Sequence, residues 1–485
     1  MLDNRELAND LSNHLTDSAK CRNALFNTVK AAKERLAACG FEAIYIRDSI
    51  VEAIVKLATR ISEICVICDT SKNKNISKKI DKYLTSKVFG IPIMLIFLGG
   101  ILWLTIFGAN YPSALLSDVF TKMRTLLHGL LDKTAVPQFL CDMLIDGVFG
   151  TSAWVTAVML PPMAIFFPLF TLLEDFGLLP RIAFNLDKCF RRANSCGKQA
   201  LTMCMGLGCN AVGVSGCRII SSPGERFAAI LTNTFMPCNG RFGMLTTVSA
   251  IFIGEYFGGA WSSLISAGFV LLLIITGALV TLLVTFLLTK YFFKTKNGTF
   301  ALELPPYRKP QILKILTRSL FDRTLLILGR AISVAAPAGA IIWLMSNVCI
   351  NGQSIISVCT KILNPAAIIM GLDGAILLAF ILALPANEIV LPIILMCYLS
   401  SAQMIDASSV SALGNLLKDN GWNVLTAVNV MLFSLLHFPC ATTLKTIKAE
   451  TGSIKLTVIA FILPTVCGIF ACICTNFIYN LFKIF

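Results

Sequence analysis

Two apolar stretches near the middle of the chain are interrupted in the same manner: Gly206-Leu207-Gly208-Cys209-Asn210, and then Phe235-Met236-Pro237-Cys238-Asn239-Gly240-Arg241. Backbone unwound inside a bilayer is tolerated only where protein covers it or where it lines a polar cavity, because unpaired amides and carbonyls are costly in hydrocarbon. The two interruptions therefore predict a binding site at membrane depth.

Outward from these breaks the chain is greasy. Hydrophobic residues fill 56% of the 485 positions and charged residues 14%, with a mean hydropathy of +0.76, outside the profile of a soluble domain. Nearly charge-free runs long enough to cross about 30 Å of hydrocarbon occur at Val88 to Ser117, Gly147 to Leu173, Tyr256 to Thr289, Ala331 to Thr360, Asn420 to Leu444 and Leu456 to Phe482. Three more runs are short or carry a charge: Gln199 to Cys217, Phe227 to Gly254 with Arg241, and Gly374 to Leu399 with Glu388. The expected fold class is all-α, a polytopic membrane protein built of two repeats with broken or re-entrant helices.

The net charge of +14 sits in short segments beside the spans, which points to the positive-inside rule and a lipid bilayer, not to nucleic acid. Lys72 to Lys87, Arg181 to Lys198 and Lys290 to Arg323 hold the clusters and are placed in the cytoplasm, together with the N-terminus. Asp118 to Asp146 and Cys349 to Asp373, poor in Lys and Arg, are placed outside. The polar first 88 residues show no cleavable signal peptide, so the expected location is the cell membrane, multi-pass. The 18 cysteines are scattered through apolar spans, unlike a secreted disulfide framework. Cys65 and Cys68 have the spacing of a metal or redox pair, but with no second pair or histidine in zinc-finger range they read as helix packing.

The domain reading is 1–87 as a cytoplasmic helical segment with a membrane-surface amphipathic stretch, 88–293 as the first membrane half, 294–323 as a cytoplasmic connector stiffened by Pro305, Pro306 and Pro310, and 324–485 as the second membrane half. The halves look like distant copies. Phe235-Met236-Pro237-Cys238 matches His437-Phe438-Pro439-Cys440, and Gly208-Cys209-Asn210 matches Pro385-Ala386-Asn387-Glu388. Paired interruptions in corresponding positions point to a transporter site between repeats.

Proline removes an amide donor and frees a carbonyl one turn back, so Pro237, Pro385 and Pro439 should expose backbone oxygens in mid-span. The thiols of Cys209, Cys238 and Cys440, the amides of Asn210 and Asn239 and the carboxylate of Glu388 add a mixed sulfur and oxygen set, suited to a borderline divalent transition metal. Each has a plainer reading beside it. Cysteine next to glycine in a membrane helix is often close packing. Glu388 is either part of the site, as intramembrane ionisable groups usually are, or a structural partner of Arg218 or Arg241. His437 is either a ligand or proton acceptor, or a satisfied interface histidine. The role of Arg241 stays open between repelling wrong cargo and anchoring a loop.

Several of these stretches together resemble a known family, the membrane domain of ferrous iron transport protein B (FeoB) with its two Gate repeats. The resemblance runs from about Lys78 to Phe485. It is carried by Leu173-Glu174-Asp175-Phe176-Gly177-Leu178-Leu179-Pro180-Arg181, by Gly206 to Asn210, by Pro237 to Arg241, by Glu303-Leu304-Pro305-Pro306-Tyr307-Arg308, and by Phe438-Pro439-Cys440-Ala441-Thr442 with Glu450-Thr451-Gly452-Ser453. The departures are Ala211-Val212-Gly213 after Asn210, where the family usually has valine and proline, and Asn387 where it often has lysine. No Gly-x-x-x-x-Gly-Lys-[Ser/Thr] phosphate loop occurs in this sequence, and 88 residues are too few for the family's G domain.

The resemblance implies ferrous iron as transported substrate, no permanently bound cofactor, uptake into the cytoplasm, and partners in trans: either a separate GTP-binding protein, docked on the N-terminal helical segment, or none of that kind, and a small Feo-type protein, with a homo-oligomer as a further expectation. Two rival readings are a nucleoside-like organic solute, since Gate repeats also occur in proteins named for nucleoside recognition, and a non-transporting membrane scaffold or regulator. An enzyme is not expected: the chain has no convincing catalytic set and only three histidines.

Overall fold

The structure is a computed structural model that describes residues 81–86, 89–131, 137–220, 222–255, 261–293, 324–350, 352–399 and 410–484, with scattered positions between 27 and 65 and at 317. The chain divides into two compact units, Met1–Lys78 and Lys79–Phe485. In the first, the described residues are helical. Most of the expected N-terminal bundle, the lysine-rich stretch up to residue 80, Cys68 and nearly all of the connector 294–323 lie outside the described residues.

The second unit is helical apart from one two-residue hairpin. Five of its helices are long and apolar enough to cross a membrane: Gln138–Leu173, Leu264–Phe292, Ile327–Asn347, Val424–Thr451 and Ile454–Phe482. The expected multi-pass membrane class holds. In chain order the elements are α1 (Gly90–Leu131), α2 (Gln138–Asp142), a π-helical segment Met143–Phe149, α3 (Gly150–Asp175), α4 (Leu178–Arg192), α5 (Lys198–Gly208), α6 (Asn210–Gly216), α7 (Pro223–Thr232), α8 (Asn239–Val248) and α9 (Ser262–Leu287) in the first half. The second half holds α10 (Leu326–Asn347), α11 (Ile355–Ile369), α12 (Gly374–Leu382), α13 (Val390–Leu399), α14 (Val410–Asp419), α15 (Val424–Leu436), α16 (Ala441–Thr451) and α17 (Ile454–Ile484).

Two boundaries differ from the hydropathy reading. The run read as Val88 to Ser117 continues without interruption to Leu131; 42 residues at about 1.5 Å each give roughly twice the hydrocarbon thickness, so the polar turns from Asp118 onward are an extension of the span. The run Ala331 to Thr360 ends instead at Asn347, where the chain turns through strands Cys349–Ile350 and Gln353–Ser354. Gly352, at φ 78°, supplies the left-handed residue that this tight turn needs. From there α11 and α12 are bent by 108° to one another, the geometry of a broken span or a re-entrant loop.

Proline does not locate the breaks by itself. Pro112, Pro161, Pro162, Pro168, Pro337, Pro365 and Pro464 all lie inside continuous helices. The helices are interrupted where proline or glycine stands directly before cysteine or alanine, in three of the four cases with an asparagine following, and there the two halves repeat each other in dihedral angles. Cys209 (φ −156°, ψ 123°) and Ala386 (φ −152°, ψ 126°) have nearly the same extended backbone, and an asparagine follows each. Cys238 (φ −83°, ψ 168°) and Cys440 (φ −61°, ψ 156°) form the second pair, each standing immediately before a helix.

The halves interlock through these breaks. Helix α6 packs on α16, while α8 packs on α15 and on the short turn Asn387–Ile389. One buried core runs through both halves, with Phe235, Leu245 and Val248 meeting Ile376, Phe380, Ile393 and Phe433. In lipid such an interface is held by close packing and internal hydrogen bonds, since lipid tails are as apolar as leucine. An ion pair crosses between the halves at each end of the bundle: Arg218 with Glu450 (2.7 Å) and Lys418 with Glu255 (2.6 Å).

Candidate functional site

The four breaks meet at one cavity. Cys209 and Asn210 come from the α5–α6 break, Cys238, Asn239 and Gly240 from α7–α8, Pro385, Ala386, Asn387 and Glu388 from α12–α13, and Cys440 and Thr443 from α15–α16. All six residues singled out in the sequence stand on this wall. The cavity volume is about 30 Å³, close to the volume of a single water molecule. It has room for one ion stripped of most of its waters.

The local fold explains why cysteine can act here. Cys238 and Cys440 each precede a helix start, α8 and α16, where unpaired N–H groups and the helix dipole favour negative charge. Cys209 lies within electrostatic reach of both Cys440 and Cys238, and Cys440 Sγ stands 3.2 Å from the Thr443 hydroxyl. No three donor atoms from Cys209, Cys238, Cys440 and Glu388 come as close as 4.8 Å to one another; among the described residues only His128, Asp142 and Asp146 form so compact a group. The thiols thus border the cavity without forming the closed tetrahedron of a structural metal site.

Arg241 lies behind the cavity, fully buried. Its guanidinium donates to the carbonyl of Thr234 (3.0 Å) in the first half and to those of Leu435 (2.9 Å), His437 (3.3 Å) and Phe438 (3.2 Å) in the second. These are carbonyls at the two helix breaks, so one side chain satisfies the orphaned acceptors of both repeats. It anchors the break, the second of the two roles left open. Asn210 makes a similar tie: with its amide nitrogen turned toward the neighbouring acceptors, it donates to the carbonyls of Gly206 and Met236, both at 3.1 Å.

Glu388 pairs with neither arginine. Arg218 is engaged by Glu450, which holds the guanidinium's pKa above its ordinary value through a hydrogen bond and its charge, and Arg241 directs its N–H groups at carbonyls. The Glu388 carboxylate instead rests over Gly240, where an added β-carbon would lie 2.2 Å from Oε1. His437 is not on the cavity wall. Its ring is enclosed by Phe380, Phe433 and Phe438 at centroid distances of 5.0, 5.7 and 5.0 Å, and Nδ1 faces the carbonyls of Ser434 (2.9 Å) and Phe433 (3.1 Å). This is the surrounding of an interface histidine.

Met159 and Met163 of α3 also line the cavity and were missed in the sequence. Their spacing of four puts both on one helix face, but methionine at that spacing in an apolar run is also ordinary packing, so nothing in the sequence separated the two. Thr443, three residues after Cys440, was missed for the same reason.

The chain matches the family described as Gate, nucleoside recognition, over residues 156–252 and again over 328–454. It matches the ferrous iron transport protein B C terminus over 270–322. Together the matches take in more than half of the sequence. It is similar to an Fe(2+) transporter FeoB of Staphylococcus aureus (strain MSSA476), 29% identical over 96% of this chain and 67% of the relative. It is also similar to an Fe(2+) transporter FeoB of Methanocaldococcus jannaschii, 27% identical over 80% of this chain and 56% of that protein. A Porphyromonas gingivalis Fe(2+) transport protein A/Fe(2+) transporter FeoB fusion protein is 24% identical over 80% of this chain and 50% of its own length.

Proposed function

From the premise that this chain belongs to the Gate-repeat membrane proteins of the ferrous iron transport protein B family, we propose that it carries a divalent transition metal, ferrous iron foremost, across the membrane through the cavity between its repeats. The observation that carries this reading is the meeting of Cys209, Cys238, Cys440 and Glu388, drawn from both halves, around a space of ion size. Soft thiolates with a carboxylate select a borderline metal over sodium, potassium or magnesium. Each thiol gives up its proton as the ion replaces water with sulfur, and the thioethers of Met159 and Met163 add soft contacts from α3. Because the donors are spread, the ion is held by a few at a time and can leave. The positive-inside rule puts Arg181, Arg191 and Arg192 of α4, just past the C-terminal end of α3, on the cytoplasmic side; uptake toward the cytoplasm, as the direction of transport, is supported by the family resemblance alone.

The Gate description favours one rival, a nucleoside-like solute. A cavity of about 30 Å³ is an order of magnitude below the several hundred Å³ of ordinary small-molecule pockets, which supports the ion. The fusion relative supports a small Feo-type protein as partner; a separate GTP-binding protein in trans is a further partner that the resemblance implies, and the chain is read as a transporter. The test is metal uptake by the purified protein in proteoliposomes. Replacing all three cysteines by serine is expected to abolish ferrous iron uptake, and an unchanged rate would remove the thiol path.

A further inference from the structure

A second group of donors lies away from the cysteine cavity, where α1 meets the segment Gln138–Phe149. The ligating atoms of His128, Asp142 and Asp146 all lie within 4.8 Å of one another. His128 Nε2 is 2.9 Å from Asp146 Oδ1, and an ionised carboxylate can only accept, so Nε2 is the nitrogen that donates; in the neutral ring Nδ1 then presents its lone pair. That lone pair faces Asp142 Oδ1 at 3.9 Å. A carboxylate that orients a histidine toward an open donor is the usual outer support of a metal ligand. Asp146 lies within the seven-residue π-helical segment Met143–Phe149, an irregularity frequent at functional sites.

Of the group, Asp146 lines a cavity of about 200 Å³ whose wall also includes Arg124, Thr151, Trp154 and Ala157; His128 and Asp142 stand next to Asp146. Small residues let the elements that wall it come close: α10 meets the π-helical segment at Gly339, where a β-carbon would clash with the Gly147 carbonyl oxygen. The Trp154 indole nitrogen is buried with no partner among the described residues, a donor suited to a water-filled chamber. Trp154 and Met159 are five residues apart on α3, about 7.5 Å of helix, and Met159 lines the cysteine cavity. Arg124 binds the same Asp146 oxygen as His128, at 2.6 Å. It cancels one negative charge and leaves a site of modest strength.

We propose that His128 Nδ1 and the Asp142 carboxylate, positioned by Asp146, form a loading site for a hydrated divalent transition metal at the end of the bundle opposite α4. The water-filled chamber beneath it passes the ion along α3 to the cysteines. This rests on the transport reading for its purpose, but not for its metal binding. The donors are nitrogen and oxygen, so the site takes the ion with most of its water, and the thiols take it further dehydrated.

Cobalt(II) titration of the full chain in detergent tests it. In a Cys209→Ser/Cys238→Ser/Cys440→Ser background, one cobalt is expected to remain, with weak d–d absorption and no sulfur charge-transfer band. Adding His128→Gln or Asp142→Asn, each singly so that a fold defect in one leaves the other to decide, should weaken that binding at least tenfold. No retained cobalt in the serine background, or binding indifferent to both changes, would overturn the loading site. In proteoliposomes with the cysteines intact, the same two substitutions should raise the KM for ferrous iron and leave the maximal rate unchanged. If wild-type protein binds cobalt at His128 but transports nothing, the transport reading falls and the site stands; if transport proceeds with KM unmoved by either substitution, the loading site alone falls.

Discussion

The Glu388 carboxylate of the second repeat occupies the space that a side chain on Gly240 of the first repeat would fill: a β-carbon there would approach Oε1 to 2.2 Å and the carboxyl carbon to 2.4 Å. One repeat supplies the charge, and the other supplies the bare backbone that admits it. Gly240→Ala should therefore push Glu388 out of the cavity wall. Overpacking of this kind costs about 1–3 kcal/mol, a modest fall in melting temperature, while ferrous iron uptake should fall at least tenfold. Uptake at the wild-type rate would show that the placement of Glu388 is irrelevant to transport.

Metal binding at the cysteine cavity should strengthen as pH rises, because each thiol that becomes a ligand must release a proton. For every proton released, apparent affinity should improve by about tenfold per pH unit. Cobalt titrations at pH 6 and pH 8 measure the slope. Replacing Cys209, Cys238 or Cys440 singly by serine should reduce it, and a slope unaffected by all three would place the metal elsewhere.

Arg241 should be indispensable to the fold before it matters to transport. It satisfies four carbonyls across the two breaks, and its removal leaves buried acceptors unpaired at about 1–3 kcal/mol for each one not rescued by water. Arg241→Met should lose several degrees in thermal stability in detergent. Arg241→Lys keeps the charge, but a point ammonium cannot reach both repeats as the planar fork does, and it should fall between the two. Equal stability of all three proteins would contradict the anchoring role.

Cys196, in the turn between α4 and α5, should be inert. Burial, with the nearby Glu225 carboxylate adding to it, pushes its thiol up to about 12 from an ordinary value near 9. The folded state therefore favours the protonated form. The stability this confers is complete below about pH 9 and is lost as pH rises from 9 toward 12. At pH 8 maleimide should label exposed Cys349 rapidly and Cys196 on the order of a thousandfold more slowly, read by mass spectrometry of peptides. Glu225→Gln should speed labelling of Cys196; no change would remove the carboxylate's share.

Hydropathy and spacing alone carried the membrane class, the two repeats and six residues that stand on the cavity wall, because the cost of unwound backbone in lipid forces helix breaks to be rare and local, and so visible in one dimension. Cys209 and Ala386 could be aligned from four-residue matches, and they turn out to share a backbone conformation. Only the tertiary structure decided which broken ends face each other. Arg241 reads as a lone charge in an apolar run until Leu435, His437 and Phe438, nearly 200 positions later, are brought to it. Met159 and Met163 look like any packed helix face until α3 is laid against the breaks. His128, Asp142 and Asp146 are ordinary polar residues at a helix end until α1 and the π-helical segment meet. Side-chain partners remote in sequence are set by packing, and packing leaves no period in the chain for a reader to find.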